Sequence, residues 1–299
     1  MTSRLVPAFA SACFASIAAF AVAAGPAPAE PVQAAGSAPA AAWPADDAGL
    51  AKLATGLVTD WMSRTTAPAL EAVTQPCFQF LSFEGACDRA GAIERLVAMG
   101  AGSPTVSEVV ATRVGDALVV TCLVSVTQKA GGAPLPADPS PRLGIWQLAD
   151  GAWKLAAWAS LNMPAVRPAP AAPAFAGDAA VSAEGAAMVG RLLGAQHRKD
   201  LKAFGGMLSD GMQVINFKGQ KVRKDIERGA EAATIDEPKV ADARAARCGD
   251  LTVVTCTLTM GQKIGWTKLP ADPAPFMAVF QGSGDSAKVI AMANTNKPK

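Results

Sequence analysis

The sequence contains an internal duplication, because its segments recur at a constant offset along the chain. For example, Val119–Cys122 recurs as Val253–Cys256. Between residues 113 and 162, 21 of the 50 positions are identical to their partners at this same offset, over 247–296, with no gap. A repeat of this length indicates a duplicated domain rather than a solenoid unit of about 20–50 residues. We therefore expect two copies of one fold, a first copy over 46–162 and a second copy over 179–299.

The N-terminus has the pattern of a secretory signal peptide. Arg4 precedes an almost uncharged apolar stretch over 5–24 that ends in small residues. This pattern predicts a signal peptide over 1–24 that is removed on export, with a retained anchor helix as the other interpretation. An Ala/Pro-rich tether is expected over 25–45 and a Pro/Ala-rich linker over 163–178. The mature protein is expected to be periplasmic or secreted, with no membrane span.

Composition excludes several functional classes. The formal net charge of +2 is smaller than the excess of Lys and Arg that is typical of a nucleic-acid-binding protein. His197 is the only histidine and no Cys-x-x-Cys spacing occurs, so a structural zinc site has little support. No phosphate-binding loop or nucleophile motif is found. We expect no metal, no cofactor and no nucleic-acid partner.

Five cysteines follow the predicted signal peptide: Cys77, Cys87, Cys122, Cys248 and Cys256. Cys122 and Cys256 occupy equivalent positions in apolar strands, which favours small buried side chains. Cys77 and Cys87 have no cysteine at the equivalent positions of the second copy. Because an exported protein can form disulfides, Cys77 and Cys87 are a candidate pair, and two free thiols are the other interpretation.

Each copy has the same order of predicted elements: a long helix, a short helix, a strand, a third helix and then only β-strands. The long helix is predicted over 46–65 and 181–199, and the third helix over 88–99 and 220–233. A Pro-rich loop with the sequence Leu-Pro-Ala-Asp-Pro separates the later strands of both copies. This order predicts an α+β fold.

The C-terminal hairpin of the first copy, Ile145–Leu155, reads IWQLADGAWKL. Together with the element order, it resembles the NTF2-like superfamily, which includes nuclear transport factor 2, SnoaL-like polyketide cyclases and ketosteroid isomerases. The resemblance implies two tandem cone-shaped domains, each with about three N-terminal helices and a strongly bent antiparallel sheet. It also implies that the domains pair through the outer faces of their sheets as an intramolecular pseudo-dimer. Two domains that do not pair are the other interpretation.

The resemblance gives little support for an enolising enzyme. Isomerases of that superfamily use an Asp general base with a Tyr or a second acid. This chain has no Tyr, and its first predicted strands, 78–83 and 212–217, contain no carboxylate. The weak catalytic candidates are His197 with Asp200 or Asp210, which could form a general base. A surface histidine at a helix C-terminus is the favoured interpretation.

Aromatic, Met and Asn side chains on the later strands are candidates for lining the pockets, with core packing and strand-end capping as competing roles. These candidates are Trp146, Trp158, Asn162, Phe280, Met292 and Asn296. A basic cluster in the second copy indicates either an acidic partner or a solvated helix face, and the solvated face is favoured. The cluster consists of Lys218, Lys221, Arg223, Lys224 and Arg228.

The sequence therefore favours an exported, non-catalytic tandem NTF2-like protein. It would bind a small apolar ligand or dock onto another envelope protein. The competing hypothesis is a SnoaL-like or ketosteroid-isomerase-like enzyme, acting as an isomerase, cyclase or hydrolase, in which one copy is degenerate. A buried carboxylate or a buried His197 facing a cavity would favour the enzyme.

Overall fold

The computed structural model describes residues 43–100, 102–164, 169–171, 173 and 175–298. The predicted signal peptide (1–24) lies outside the described residues, as does the predicted tether up to residue 42. No helix in the described ranges is both long enough and apolar enough to cross a bilayer.

The first copy begins with helices and continues as strands. Its helices are α1 (Asp47–Met62), α2 (Ala67–Val73) and α3 (Arg89–Met99). Its strands are β1 (Thr74–Ser82), β2 (Gly85–Asp88), β3 (Thr105–Val114), β4 (Ala117–Ser125), β5 (Lys129–Ala130), β6 (Ala133–Pro134), β7 (Ser140–Ala149) and β8 (Ala152–Ser160).

The second copy repeats this order. Its helices are α4 (Ala179–His197), α5 (Leu201–Gly206) and α6 (Arg223–Ala232), with a short 3-10 turn at Gly284–Ser286. Its strands are β9 (Leu208–Asn216), β10 (Gly219–Val222), β11 (Ala233–Ile235), β12 (Lys239–Cys248), β13 (Leu251–Thr259), β14 (Gln262–Ile264), β15 (Thr267–Leu269), β16 (Ala274–Gln281) and β17 (Lys288–Asn294).

Each copy builds one six-stranded sheet, and the two sheets have the same strand order. The order is β2-β1-β8-β7-β4-β3 in the first copy and β10-β9-β17-β16-β13-β12 in the second. The prediction of an α+β fold with two tandem domains is confirmed. Each sheet is mixed rather than wholly antiparallel, because β1 pairs with β8, and β9 with β17, in parallel. A parallel pair needs a long connection, and here the rest of the domain provides it.

The first helix of each copy begins at an aspartate cap and buries one apolar face. Asp46 Oδ1 accepts a hydrogen bond from the Gly49 N–H at 2.7 Å, and Asp178 Oδ1 accepts one from the Val181 N–H at 2.9 Å. These bonds satisfy amides that the helix itself leaves free. The helical spacing of apolar residues then turns one face of each helix toward its sheet.

The third helix of the second copy starts later than the sequence predicts. Residues 219–222 form β10, which pairs with β9, so α6 begins at Arg223 and not at Gln220. The equivalent strand β2 pairs with β1 in the first copy. Strands of four residues carry too little periodicity to be separated from the helix that follows them.

Both sheets use their inner face for the core of their own copy. In β1, the side chains of Phe78 and Phe80 belong to the core that α1 covers. In β9, Met212 and Val214 belong to the equivalent core beneath α4. Because side chains alternate along a strand, the residues between them point to the outer face.

The outer faces of the two sheets pack against each other in a third apolar cluster. Nearly every member from the first copy has its counterpart from the second copy in the same cluster. The matched pairs include Leu81 with Ile215, Val119 with Val253, Leu143 with Met277, Ile145 with Val279, and Ala159 with Ala293.

Two buried glutamines cross this contact in equivalent ways. Gln79 Oε1 accepts a hydrogen bond from the Thr255 hydroxyl at 2.7 Å, and Gln213 Oε1 accepts one from the Thr121 hydroxyl at 2.6 Å. Both glutamine amides also donate to a backbone carbonyl of the opposite copy. The constant offset of the repeat converts one set of bonds into the other, as expected for an interface in which the same surface is used twice.

A disulfide also joins the copies, and it corrects the predicted pairing. Cys77 is bonded to Cys248, with the Cα atoms 5.9 Å apart, whereas Cys87 is a buried free thiol. Cys87 pairs with Phe80 in the register of β1 and β2, so its side chain lies on the inner face. Cys77 lies three residues before Phe80 and therefore points to the outer face, where it meets Cys248. The predicted Cys77–Cys87 pair would have to cross the sheet, so it is wrong.

Candidate functional site

The second copy encloses a cavity of about 370 Å³ between its helices and the inner face of its sheet. The innermost part of the wall is apolar and buried. It includes Phe204, Val214, Leu258, Met260, Phe276 and Met292. A volume in this range suits a small organic ligand.

The opening of the cavity is polar and partly exposed. Asn216 and Asn294 lie at the ends of β9 and β17, next to the apolar wall. Three cations contribute to the rim: Lys218, Lys221 and Arg228. Asp225 is the one carboxylate among the lining residues, and its Oδ2 accepts a hydrogen bond from the Val222 N–H at 3.4 Å. That bond places Asp225 at the N-terminus of α6, where a carboxylate is favoured.

The first copy fills the equivalent space with aromatic rings. Trp61 contacts Phe78 and Trp158 edge to face, with ring centroids 5.6 and 6.1 Å apart. Trp158 also contacts Trp146 at 5.9 Å. All four rings are buried, and edge-to-face packing is a favourable arrangement for such rings.

The residues at the equivalent positions of the second copy account for the cavity. Ala195 stands in place of Trp61, and Met292 in place of Trp158. Each exchange replaces a double ring by a smaller side chain, which leaves space that the rest of the wall does not close.

Arg142 is a buried cation that the sequence analysis did not single out. Its side chain projects from β7 into the first copy, and it is 1% exposed. Its Nη1 donates to the Ser140 hydroxyl at 2.7 Å, whereas Nη2 has no partner within the described residues. Burial lowers the pKa of Arg142 to about 10, with a smaller opposing effect from Cys122. Phe276 occupies the equivalent position in the second copy, so that cavity has an apolar wall there.

The catalytic candidates from the sequence lie at the surface, and each has a local partner. His197 Nδ1 lies 2.9 Å from the Ile235 carbonyl oxygen. Asp200 Oδ1 accepts a hydrogen bond from the Ala203 N–H at 3.0 Å and caps α5. Asp210 forms an ion pair with Arg223. None of the three candidates is among the residues that line the cavity.

The predicted pocket residues have different positions. Met292 lines the cavity, and Phe280 belongs to the surrounding core. Trp146 and Trp158 are part of the aromatic filling of the first copy. The two asparagines lie beyond the last strands. Asn162 donates its backbone N–H to the Ser160 hydroxyl at 3.4 Å, and Asn296 Nδ2 donates to the Pro270 carbonyl at 2.9 Å.

Within the described ranges, no group of three or more His, Cys, Asp or Glu side chains could hold a metal ion. The buried thiols of Cys87, Cys122 and Cys256 lie in separate places. Burial raises the pKa of Cys87 to about 11, and those of Cys122 and Cys256 to about 12. Thiols with raised pKa values are poor nucleophiles at neutral pH, so these three are packing residues.

Comparisons with known proteins give similarity in structure alone. No family model matches the sequence, and no curated protein matches it. An NTF2-like protein from Cytophaga hutchinsonii ATCC 33406 is 17% identical, over 37% of this chain and 93% of that one, with a TM-score of 0.35. An NTF2-like protein of unknown function in nutrient uptake from Rhodospirillum rubrum ATCC 11170 is 17% identical, over 38% and 97% of the two chains, with a TM-score of 0.33. An NTF2-like protein of unknown function from Pseudomonas putida KT2440 is 13% identical, over 40% of this chain and 89% of that one, with a TM-score of 0.31.

Proposed function

We propose that this is an exported, non-catalytic protein that binds a small, largely apolar ligand in the cavity of its second copy. The observation that carries the proposal is the contrast between two copies of one fold. The first copy is filled by four aromatic rings, whereas the second keeps about 370 Å³ open behind an apolar wall. Burial of apolar ligand surface in such a wall would provide the binding free energy.

The chemistry of the wall supports binding rather than catalysis. The side chains in its innermost part are Phe, Val, Leu and Met, which neither transfer protons nor attack a substrate. Asp225, the carboxylate at the opening, receives a backbone hydrogen bond at the start of α6. His197 is exposed and faces a backbone carbonyl, so it has the role of a helix-end residue.

Two further features support export and an intramolecular pseudo-dimer. The N-terminal sequence has the signal-peptide pattern, and the Cys77–Cys248 disulfide suits an oxidising compartment. The outer faces of the two sheets cover each other. This contact supports a role for the first copy as a scaffold for the second. The mass of the N-terminal peptide from the fractionated protein tests export, since a mature chain that begins near residue 25 is expected.

Filling the cavity with the residues of the first copy tests ligand binding. Met292→Trp and Val214→Phe introduce the side chains found at Trp158 and Phe80. We expect the double variant to bind the neutral apolar dye Nile red at least about tenfold more weakly than the wild type, because the rings occupy the dye's space. Its free energy of unfolding should fall by less than the roughly 1–3 kcal/mol that overpacking of a closed core costs.

Val97→Trp is the matched control, because Val97 is exposed on α3 of the first copy and does not line the cavity. This variant should bind Nile red as the wild type does. Equal Nile red binding by the wild type and the filled variant would refute the proposed function. A large loss of stability in the filled variant would show that the space is closed in solution.

A further inference from the structure

The opening of the second-copy cavity has an excess of positive charge. Lys218 lies in the turn between β9 and β10, and Arg228 lies on α6. Lys221 pairs in register with Val214, a wall residue, so the Lys221 side chain lies on the cavity face of the sheet. Three cations therefore surround an opening that has one carboxylate, Asp225.

These cations lack acidic partners within the described part of the chain. None of the three takes part in an ion pair, whereas the neighbouring Arg223 is paired with both Asp210 and Glu227. Lys218 makes a single contact of another kind, with its Nζ 5.6 Å from the centroid of the Phe217 ring. The positive charge at the opening is therefore available to a ligand.

The first copy has the opposite charge at two of the three equivalent positions, and Cys87 stands in place of Lys221. Glu84 and Glu94 stand where the second copy has Lys218 and Arg228. In the first copy, Arg95 spans the equivalent opening, because its Nη1 lies 3.6 Å from a Glu84 carboxylate oxygen and 3.1 Å from the Ser82 hydroxyl.

The second copy lacks this closure. Gly229 replaces Arg95, and a Cβ atom at Gly229 would meet no atom within 4 Å apart from its adjacent residues and the backbone of its own helix. The copy with the open cavity is thus also the copy with an unobstructed, cationic opening.

We infer that the ligand of this cavity is an amphipathic anion. Its apolar body would lie against Val214, Phe276 and Met292, and its anionic head would lie at the opening between Lys218, Lys221 and Arg228. This inference rests on the proposed function and adds the chemical class of the ligand. The head group stays partly solvated at the opening, so the cost of its desolvation is small while charge-assisted hydrogen bonds are gained.

Competition with Nile red separates charge from apolar bulk. The competitors are decanoate, decyl phosphate, 1-decanol and decylammonium, which share one alkyl chain and differ in the head group. Each is used below the concentration at which it aggregates. We expect decanoate and decyl phosphate to displace the dye at lower concentrations than decanol, and decylammonium to be the weakest. Added salt should weaken the two anions and leave decanol unchanged.

Charge reversal tests the assigned residues. Lys218→Glu with Arg228→Glu restores the residues of the first copy. Lys52→Glu with Lys129→Glu makes the same change of charge at exposed positions of the first copy, which do not line the cavity. The ratio of decanoate affinity to decanol affinity should fall at least about tenfold, or about 1.4 kcal/mol, in the first double variant. In the control double variant the ratio should change less than about twofold, as expected for distant charges.

The outcomes distinguish the two proposals. If Nile red binds and cavity filling abolishes its binding, but decanol competes as well as decanoate for the wild-type protein and the ratio is unchanged in both charge variants, the anion inference fails and the proposed function stands. A preference for decylammonium would likewise overturn the inference. If Nile red does not bind the wild-type protein, the proposed function itself fails.

Discussion

The disulfide between the two copies provides a quantitative test of the structure. Cys77 and Cys248 are separated by 171 residues, so their bond closes a very long loop in the unfolded chain. The chain-entropy relation for a loop of this length gives a stabilisation of about 5 kcal/mol at 25 °C. We expect the double variant Cys77→Ala with Cys248→Ala to lose about 3–5 kcal/mol of unfolding free energy, since small native adjustments reduce the ideal figure.

Urea denaturation of the purified oxidised protein measures this loss, with tryptophan fluorescence and circular dichroism as parallel probes. Wild-type protein under reducing conditions should reproduce the midpoint of the double variant. The reductant should not change the midpoint of the variant, because the other cysteines described are free thiols. Cys87→Ala is a further control and should leave the bond between the copies intact.

Two results would contradict this reasoning. Mass spectrometry of a non-reducing digest could find Cys77 joined to Cys87, which would place both side chains on one face of the first sheet. Alternatively, the unfolding free energy of the double variant could equal that of the wild type within about 1 kcal/mol. The bond would then add little to a contact that the apolar cluster between the sheets already maintains.

Two further predictions concern the interior. Gly144→Ala should lower the free energy of unfolding by about 1–3 kcal/mol, because the added Cβ would overlap a tryptophan ring. Gly190→Ala in the open middle of α4 should raise the free energy of unfolding by about 0.5–1 kcal/mol. Thermal unfolding of both variants checks these effects, and equal effects would contradict the prediction. Burial raises the pKa values of Cys87, Cys122 and Cys256 above the ordinary value of 9.0. The unfolded chain therefore releases these protons first, so the unfolding free energy is unaffected by them below pH 9. As the pH rises from there through about 11 to 12, it should fall by up to about 1.4 kcal/mol per pH unit for each thiol. Urea titrations over this range measure the slope, and replacement of Cys122 by Ala should reduce it; an unchanged slope would refute the assignment.

Much of the architecture could be predicted because it depends on local patterns that the chain repeats. The order of helices and strands follows from periodicity, and the constant offset of the repeat assigns each element twice. The missed elements were short. The strands at 85–88 and 219–222 exist because they pair with a neighbour, and pairing of this kind leaves little trace in so short a segment.

The cavity results from substitutions between equivalent positions of the two copies, and these substitutions could be interpreted only with the structure. Ala195 and Met292 occupy the positions equivalent to Trp61 and Trp158, and these exchanges of large for small side chains determine which copy is open. Recognising them requires knowing which positions face the same interior. The partner of Cys77 could not be found in this way, because the docking of two sheets brings Cys248 beside it.

The glutamine bonds between the copies show that each copy serves as the other's binding partner in a nearly symmetric way. In a dimer of identical chains, every substitution would appear on both sides of such a contact. A tandem chain removes that constraint. One side of this contact has a cystine, and the equivalent site has Gly211 against Val114, with no sulfur at all. The same independence allows indole rings to fill the interior of the first copy while the second copy keeps a cavity. Two identical subunits could not differ in this way.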